Sequence, residues 1–252
     1  MGSGEQSPLP ADEPARLEAV RRYDVLDTPP DGAFDRVTAL AARLFDVPIS
    51  IISIVDHDRI WFKSHHGIDA TEIGRDPGLC ASAICQVDPW LVSDAQVDVR
   101  TIDNPLVAGE LGLRFYLGVP LRTRDGFNLG TLNVIDVEPR EVSDGEVATL
   151  QDLAAVVVDE LELRLAVRTT FEERRRRALE LNDAVVQGLA LAHLALEAGR
   201  DQQARAAVDH TLAAAQAIIG ELLESAGDRG RLQPGDLVRA TAATVSPSGA
   251  SA

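Results

Sequence analysis

The sequence predicts an α+β fold, in which an antiparallel sheet packs against flanking helices and is followed by a long helix and a helical hairpin. Three observations support this prediction. The N-terminal part contains short runs of β-formers bounded by Asp, Gly or Pro. From Ser143 onward, apolar residues recur at threes and fours. Residues 144–225 contain no proline, so this part of the chain is expected to form a helical module separate from the N-terminal one.

Two helices are predicted before the first strand. Glu13–Tyr23 carries Leu17 and Val20 at helical spacing. Phe34–Phe45 carries four apolar residues at the same spacing and follows the turn-rich segment DTPPDG. Both segments are therefore expected to pack one face against the sheet.

Five strands are predicted in the first module. They are Pro48–Val55, Ile60–Ser64, Trp90–Val92, Phe115–Leu121 and Leu129–Ile135. The segment DHDR joins the first two strands and RTRDGFN joins the last two, and connections this short fit antiparallel neighbours. The segment CASAIC between the second and third strands predicts a short helix.

The second module begins with a long helix, because Ser143 and Glu146 form a capping-box pattern. An apolar seam follows and is expected to pair: Leu150, Leu153, Ala154, Val157, Val158, Leu161 and Leu165. The helical pattern resumes over Phe171–Ala198, breaks at Gly199 and returns over Asp201–Ser225. One stripe of the last helix carries Ala204, Val208, Leu212, Ala215, Ile219 and Leu222. A lone hairpin encloses little interior, so we expect a second copy to complete a four-helix bundle, giving a homodimer.

The charge balance excludes several classes of partner. The chain has 24 Lys and Arg against 40 Asp and Glu, so 24 − 40 gives a net charge of −16. An acidic molecule repels phosphate backbones and anionic lipid, so we expect neither a nucleic-acid nor a membrane partner. Arg174–Arg177 is flanked by glutamates, and four consecutive residues point to all sides of a helix. This pattern indicates a solvated charge lattice of arginines and glutamates. The first ten residues lack the features of a signal peptide, so a cytoplasmic location is expected.

Ordered motifs in the first module point to a family. They include YDVLDTPPDGAFDRVTALAARLFDVPISIISIVDHDRIWFKSHHG, LCASAI, LVSDAQVDVRTIDNPLV and LRFYLGVPLRTRDGFNLGTLNVIDVEPR. Residues 13–165 thereby resemble a GAF domain of the bacterial sensor kind. The resemblance implies a six-stranded antiparallel sheet and a role in binding a small ligand, in dimerisation or in relay. It identifies neither a ligand nor a cofactor.

The segment from Phe171 to Leu223 resembles the dimerisation and phosphotransfer helices of sensor kinases that act on LuxR-type response regulators. In that family a Glu-Leu-His-Asp-x-x-x-Gln motif carries the phosphoacceptor His, and here Asn182 stands in its place. An amide nitrogen cannot replace the imidazole as nucleophile, so no phosphoacceptor is expected. No glycine-rich phosphate loop follows, so we do not expect a complete kinase. The predicted boundaries are 1–12 (disordered), 13–165 (GAF domain), 166–226 (helical hairpin) and 227–252 (disordered tail).

Asp183 and Gln187 are the candidate catalytic pair. In the kinase family the Asp activates the His and the Gln positions a water for dephosphorylation of the regulator. Four residues apart on a helix, they share a face and could orient one water. An ordinary polar pair on a solvated face is the alternative. His193, on nearly the same face as Asn182, is a conceivable displaced phosphoacceptor, although a hydrated helix histidine is the simpler interpretation, and His210 is similar.

The remaining candidates are weaker. Some GAF domains reduce free methionine sulfoxide with cysteines, but Cys80 and Cys85 on one short helix would be too far apart for a disulfide, so we expect two buried structural cysteines. Cys80 is kept as a candidate ligand-binding residue. His57, His65 and His66 lack a regular metal-ligand spacing, so no metal site is predicted.

These observations predict a sensor or relay protein. A ligand or partner at the GAF domain would alter a dimeric helical bundle, on which a response regulator or a sensor histidine kinase docks. A stand-alone response-regulator phosphatase using Asp183 and Gln187 is one alternative. A structural dimerisation module without ligand is the other.

Overall fold

The computed structural model describes residues 9–76 and 78–225. The chain divides into two compact units between Val167 and Arg168, two residues beyond the boundary expected from sequence. The predicted tail lies outside the described residues, as do residues 1–8 of the predicted disordered N-terminus.

A six-stranded antiparallel sheet forms the centre of the first unit. Its strands are β1 Ile49–Val55, β2 Arg59–His66, β3 Glu72–Gly74, β4 Trp90–Val92, β5 Phe115–Arg122 and β6 Asn128–Asp136, in the order β3-β2-β1-β6-β5-β4. The predicted sheet and its two hairpins are confirmed. The strand β3 was missing from the residue-based prediction because it has only three residues, two of them exposed, which is too short a run to be recognised.

Helices cover both faces of the sheet. They are α1 Glu13–Tyr23, α2 Gly32–Phe45, α3 Leu79–Ala83 and α4 Pro105–Ala108, followed by the long α5 Asp144–Glu197 and by α6 Asp201–Ser225. Asp12 and Asp31 cap α1 and α2 by accepting from backbone amides. One apolar cluster joins α1, α2 and the start of α5 to one sheet face, and a second joins α3 and α4 to the other.

The helix α5 begins as predicted and then departs from the prediction. Ser143 and Glu146 form the reciprocal capping box, with the Ser143 amide donating to Oε2 of Glu146 at 2.8 Å. From there α5 runs as a single helix to Glu197. The seam expected to pair with another chain packs in the unit's own core instead, where Leu150 and Val157 are fully buried. The buried turns of α5 therefore belong to the first unit.

The second unit is a helical hairpin closed by Gly199, whose φ of 66° is the left-handed conformation that ends helices. Small residues line the contact between its helices: Gly188, Ala192, Ala195, Ala204 and Thr211 are all buried. The stripe predicted on α6 is split, because Ala204 faces α5 while Val208 and Leu212 are 44% and 57% exposed. Within the described residues, none of the helices has the length and apolar character needed to span a membrane.

The approach of α5 to α6 depends on the missing side chain of Gly188. A Cβ there would lie 1.7 Å from Oγ1 and 2.7 Å from Cβ of Thr211. We expect Gly188→Ala to lower the unfolding free energy by about 1–3 kcal/mol despite the better helix propensity of Ala. Gly220→Ala on α6 meets no neighbouring atom and should stabilise the helix by up to about 1 kcal/mol. Urea unfolding followed by circular dichroism measures both, and equal effects would contradict the close packing.

Candidate functional site

A small cavity lies between the sheet and α3. Its volume is about 60 Å³, room for about two water molecules. Its walls are apolar apart from Cys80 and Tyr116: Ile49, Ile51, Phe62, Ile68, Ile73, Leu79, Leu106, Leu111, Leu113 and Ile135 complete the lining. A cavity with these walls is suited to a small apolar ligand.

Tyr116 fills much of the space that the sheet leaves under α3. Its ring lies across Gly118, where a Cβ would meet the phenol oxygen at 2.4 Å. The ring also packs edge-on against Trp90, with the centroids 5.6 Å apart. The absence of a side chain at position 118 therefore allows an aromatic ring to occupy the inner face of the sheet.

A chain of buried polar groups runs from this ring into the sheet. The Tyr116 hydroxyl and the Asn133 amide donate to Sγ of Cys80 at 3.5 Å and 3.4 Å. Asn133 also donates to Oγ1 of Thr131 at 3.0 Å, and Thr131 lies 2.9 Å from the Ser53 hydroxyl. Burial raises the pKa of Tyr116 well above its ordinary value. The phenol therefore stays protonated, and Cys80 accepts bonds within a polar network.

The two cysteines have different environments, which corrects the expectation that both are buried. Cys80 lies on α3 and is buried, whereas Cys85 follows the end of α3 and is exposed. The Cys85 thiol donates to the carbonyl of Ala81 at 3.3 Å. The helix ends at Ala83, and this removes Cys85 from the apolar face that the pattern CASAIC suggested.

The histidines do not assemble into a site. Among residues 9–76 and 78–225, no group of three His, Cys, Asp or Glu side chains is placed to hold a metal ion. His193 is exposed and lies 3.5 Å from Glu197 on the next turn of α5. His210 is also exposed.

The kinase-like positions all lie on the surface of α5. Asn182, Asp183 and Gln187 are exposed. In the described part of the chain, the side chains of Asp183 and Gln187 make no hydrogen bond or ion pair. The run Arg174–Arg177 is a surface charge lattice as predicted, with an ion pair of 2.9 Å between Arg176 and Glu180.

The GAF domain sequence profile matches residues 29–161, more than half of the chain. The chain belongs to the GAF domain family. The matched residues contain the whole six-stranded sheet, both sheet hairpins and the buried turns of α5. The sequence resemblance is thus confirmed for the GAF domain.

One curated relative shares this domain. A cyclic di-GMP phosphodiesterase of Pseudomonas aeruginosa is 41% identical over 152 residues, which is 60% of this chain and 26% of that protein. The aligned region therefore spans about a quarter of the relative's length. The similarity concerns a portion of a signalling enzyme.

Solved structures with a similar fold share low sequence identity. The GAF domain of an Acinetobacter phosphoenolpyruvate-protein phosphotransferase is 18% identical, with a TM-score of 0.46, and covers 62% of this chain and 98% of its own. A free methionine-R-sulfoxide reductase from Neisseria meningitidis gives 18% identity and a TM-score of 0.46, covering 60% and 89%. A domain of a two-component sensor histidine kinase protein from Sinorhizobium meliloti gives 16% and 0.43, covering 57% and 95%.

The main members of the buried polar chain are not among the residues predicted from the sequence. Asn133 and Thr131 stand in the strand LGTLNVID, where two polar residues two positions apart share one face of the sheet. That spacing is a usable signal. No comparable sequence pattern marks the packing of the Tyr116 ring over Gly118, because this packing depends on the pairing of β5 with β4.

Proposed function

We propose that this GAF domain protein is a homodimeric sensor or relay protein, in which a signal at the GAF domain changes the helical hairpin and a response regulator or sensor kinase docks on that hairpin. The observation that carries the proposal is the continuity of α5. Its turns at Leu150, Ala154, Val157 and Leu161 are buried in the core of the first unit, and the same helix continues to Glu197. A shift of the buried turns would be transmitted along a continuous helix.

The hairpin presents an apolar face suited to a second copy of the chain. Gly188 and Thr211 contact each other across the hairpin, and Leu189 and Leu212 are the next residues in the chain. Each leucine therefore points ~100° away from that contact around its own helix. Because the two helices of a hairpin run antiparallel, equal turns in the chain direction place both side chains on the same side. Leu189 and Leu212 are 54% and 57% exposed. We call this side, with Val186, Leu196 and Val208, the dimer face.

A docking surface for the partner would lie away from the dimer face. Asp183 and Gln187 are turned by ~120° and ~160° from Leu189 around α5. Leu191 and Leu194 follow them along the helix and are 62% and 57% exposed. We call these four residues the docking face. Exposed apolar side chains next to polar ones are suited to a protein partner, and the kinase resemblance supports a response regulator as that partner.

The small cavity bears on the kind of signal. Its apolar walls and its volume of about 60 Å³ suit a small apolar molecule, and a protein partner is the other candidate input to the GAF domain. The similarity to part of a cyclic di-GMP phosphodiesterase supports a signalling role for the domain. The alternative is that the GAF domain is a structural module without a ligand. In that case no small molecule should shift the melting temperature of the protein.

Response-regulator phosphatase activity is the second candidate, because Asp183 and Gln187 are exposed on one helix face without internal partners. If the pair acts, Gln187→Ala removes the group that orients the attacking water and should lower dephosphorylation of an acetyl-phosphate-charged LuxR-type regulator by roughly 10²-fold or more. Asp183→Ala should cost less. Regulator binding, measured by calorimetry, should survive both changes. An unchanged regulator lifetime with the unmodified protein would exclude the phosphatase and leave the relay.

A further inference from the structure

Lys63 is the only lysine in the chain, and it lines a pocket on the sheet face opposite to α3. The pocket has a volume of about 480 Å³. Its wall combines hydroxyl groups, two carboxylates and aromatic rings, contributed by Thr28, Ser64, Thr71, Asp27, Asp35, Trp61 and Phe62. Asp27 is paired with Arg59 at 2.6 Å. It is separate from the small cavity, because Trp61 belongs to the cluster on the other face of the sheet.

The ammonium group of Lys63 is buried without a counterion. The residue is 5% exposed. Its Nζ donates to Oγ1 of Thr28 at 2.7 Å and to the carbonyl of Pro29 at 3.0 Å, and both of these partners are neutral. It also lies 5.4 Å from the ring of Phe34 and 5.8 Å from that of Trp61. Its third N–H has no acceptor within the described residues, and no carboxylate there lies within ion-pair distance.

The neighbouring carboxylates already have partners. Asp31 forms an ion pair of 2.5 Å with Arg164 and accepts from the amide of Ala33. Asp35 accepts from the Ser64 hydroxyl at 2.7 Å. Burial lowers the pKa of Lys63 even though Asp31 and Asp35 oppose that effect. Burying a charged ammonium group without a counterion costs free energy, and binding of an anion offsets that cost.

We propose that the Lys63 pocket is a second ligand site, which binds a small molecule through its carboxylate. The carboxylate accepts the third N–H of Lys63, and Thr71 on the pocket wall lies near the other polar groups of the ligand. A compact ammonium suits this position, since a guanidinium needs a wider set of acceptors. This site is independent of the proposed dimer and of the proposed regulator.

A single lysine makes the test unusually direct. Full-length protein labelled with ¹³C-lysine gives one ε-methylene signal, which reports Lys63 alone. Acetate and lactate, titrated at constant ionic strength against chloride, should each shift this signal saturably and raise the pH at which it titrates, because a bound anion stabilises the ammonium. Inorganic phosphate distinguishes a carboxylate site from a general anion site. A signal that responds to acetate and lactate no more than to chloride would overturn the proposal.

Melting curves supply the second measurement. Saturating acetate should raise the Tm of the unmodified protein by about 2 °C or more. Lys63→Met, which keeps the apolar stem, should abolish this rise, whereas Arg43→Met on the exposed part of α2 should preserve it. An acetate effect that persists in Lys63→Met would place the binding elsewhere and contradict the proposal. If Lys63→Met does not fold, the lysine signal decides the question alone.

Discussion

Glu13→Gln should lower the unfolding free energy by about 3–5 kcal/mol, the range expected when one partner of a buried ion pair is removed. The Glu13 carboxylate contacts Nε of Arg16 at 2.6 Å and Nη1 of Arg75 at 2.5 Å. Arg16 is 1% exposed and Arg75 is 7% exposed. The substitution would leave two buried guanidinium groups without a carboxylate between them.

Arg75 makes this loss larger. Among the described residues its Nε and Nη2 have no hydrogen-bond partner, so Nη1 makes its contacts there, to Glu13 and to the carbonyls of Asp56 and His57. Glu18→Gln on the same helix is the matched control, because Glu18 is exposed and should change stability by less than about 0.5 kcal/mol. Urea unfolding of both variants measures the difference. Equal losses would mean that the Glu13 cluster does not stabilise α1.

The same cluster predicts a pH dependence. Burial alone would raise the pKa of Glu13, but the hydrogen bonds from Arg16 and Arg75 outweigh it and the pKa is lowered. A carboxyl with a lowered folded-state pKa contributes stability above the unfolded pKa and loses it as the pH falls through the folded pKa. The stability of the unmodified protein should therefore fall more steeply below about pH 4.5 than that of Glu13→Gln.

Leu189→Glu should weaken the dimer at least a thousandfold, or about 4 kcal/mol, because each copy would bury an unpaired carboxylate in the dimer face. Leu194→Glu is the matched control. The two leucines have nearly equal exposure, 54% and 57%, but differ by ~140° around α5. Leu194→Glu should leave the dimer intact and weaken regulator binding. Sedimentation velocity measures the first effect and calorimetry the second.

The opposite pattern would contradict the assignment of the two faces. If Leu194→Glu dissociates the dimer and Leu189→Glu does not, the second copy covers the docking face. If the unmodified protein is a monomer at micromolar concentration, neither face is a dimer interface. In that case the exposed apolar side chains of the hairpin would bind a different partner.

The sequence predicts the strands and hairpins of the GAF domain well because they combine short β-forming runs with tight turns. Where it fails, the reason is tertiary. The seam from Leu150 to Leu165 has the spacing of an intermolecular seam, and only the presence of the sheet shows that it packs within its own unit. The regular stripe on α6 likewise hides a division between Ala204, which faces α5, and the exposed Leu212.

The candidate site was less predictable than the fold. The kinase-like motif located Asp183 and Gln187 on one exposed helix face, as their spacing requires. The state of Cys85 depends on α3 ending at Ala83, which the pattern CASAIC does not reveal. The environment of Lys63 depends on the turn at Thr28 and Pro29 reaching β2, a contact 34 to 35 residues away in sequence. Only the rarity of lysine in this chain marks the position.

The central claim is that α5 couples the GAF domain to the hairpin, and hydrogen exchange in Val157→Ala tests it most directly. Val157 is fully buried in the GAF core, while its neighbour Val156 is 54% exposed and serves as control. The account predicts that Val157→Ala accelerates amide exchange both in the sheet and in residues 184–196 of the hairpin, and that Val156→Ala accelerates neither. Faster exchange in the sheet with unchanged exchange in residues 184–196 would contradict the coupling.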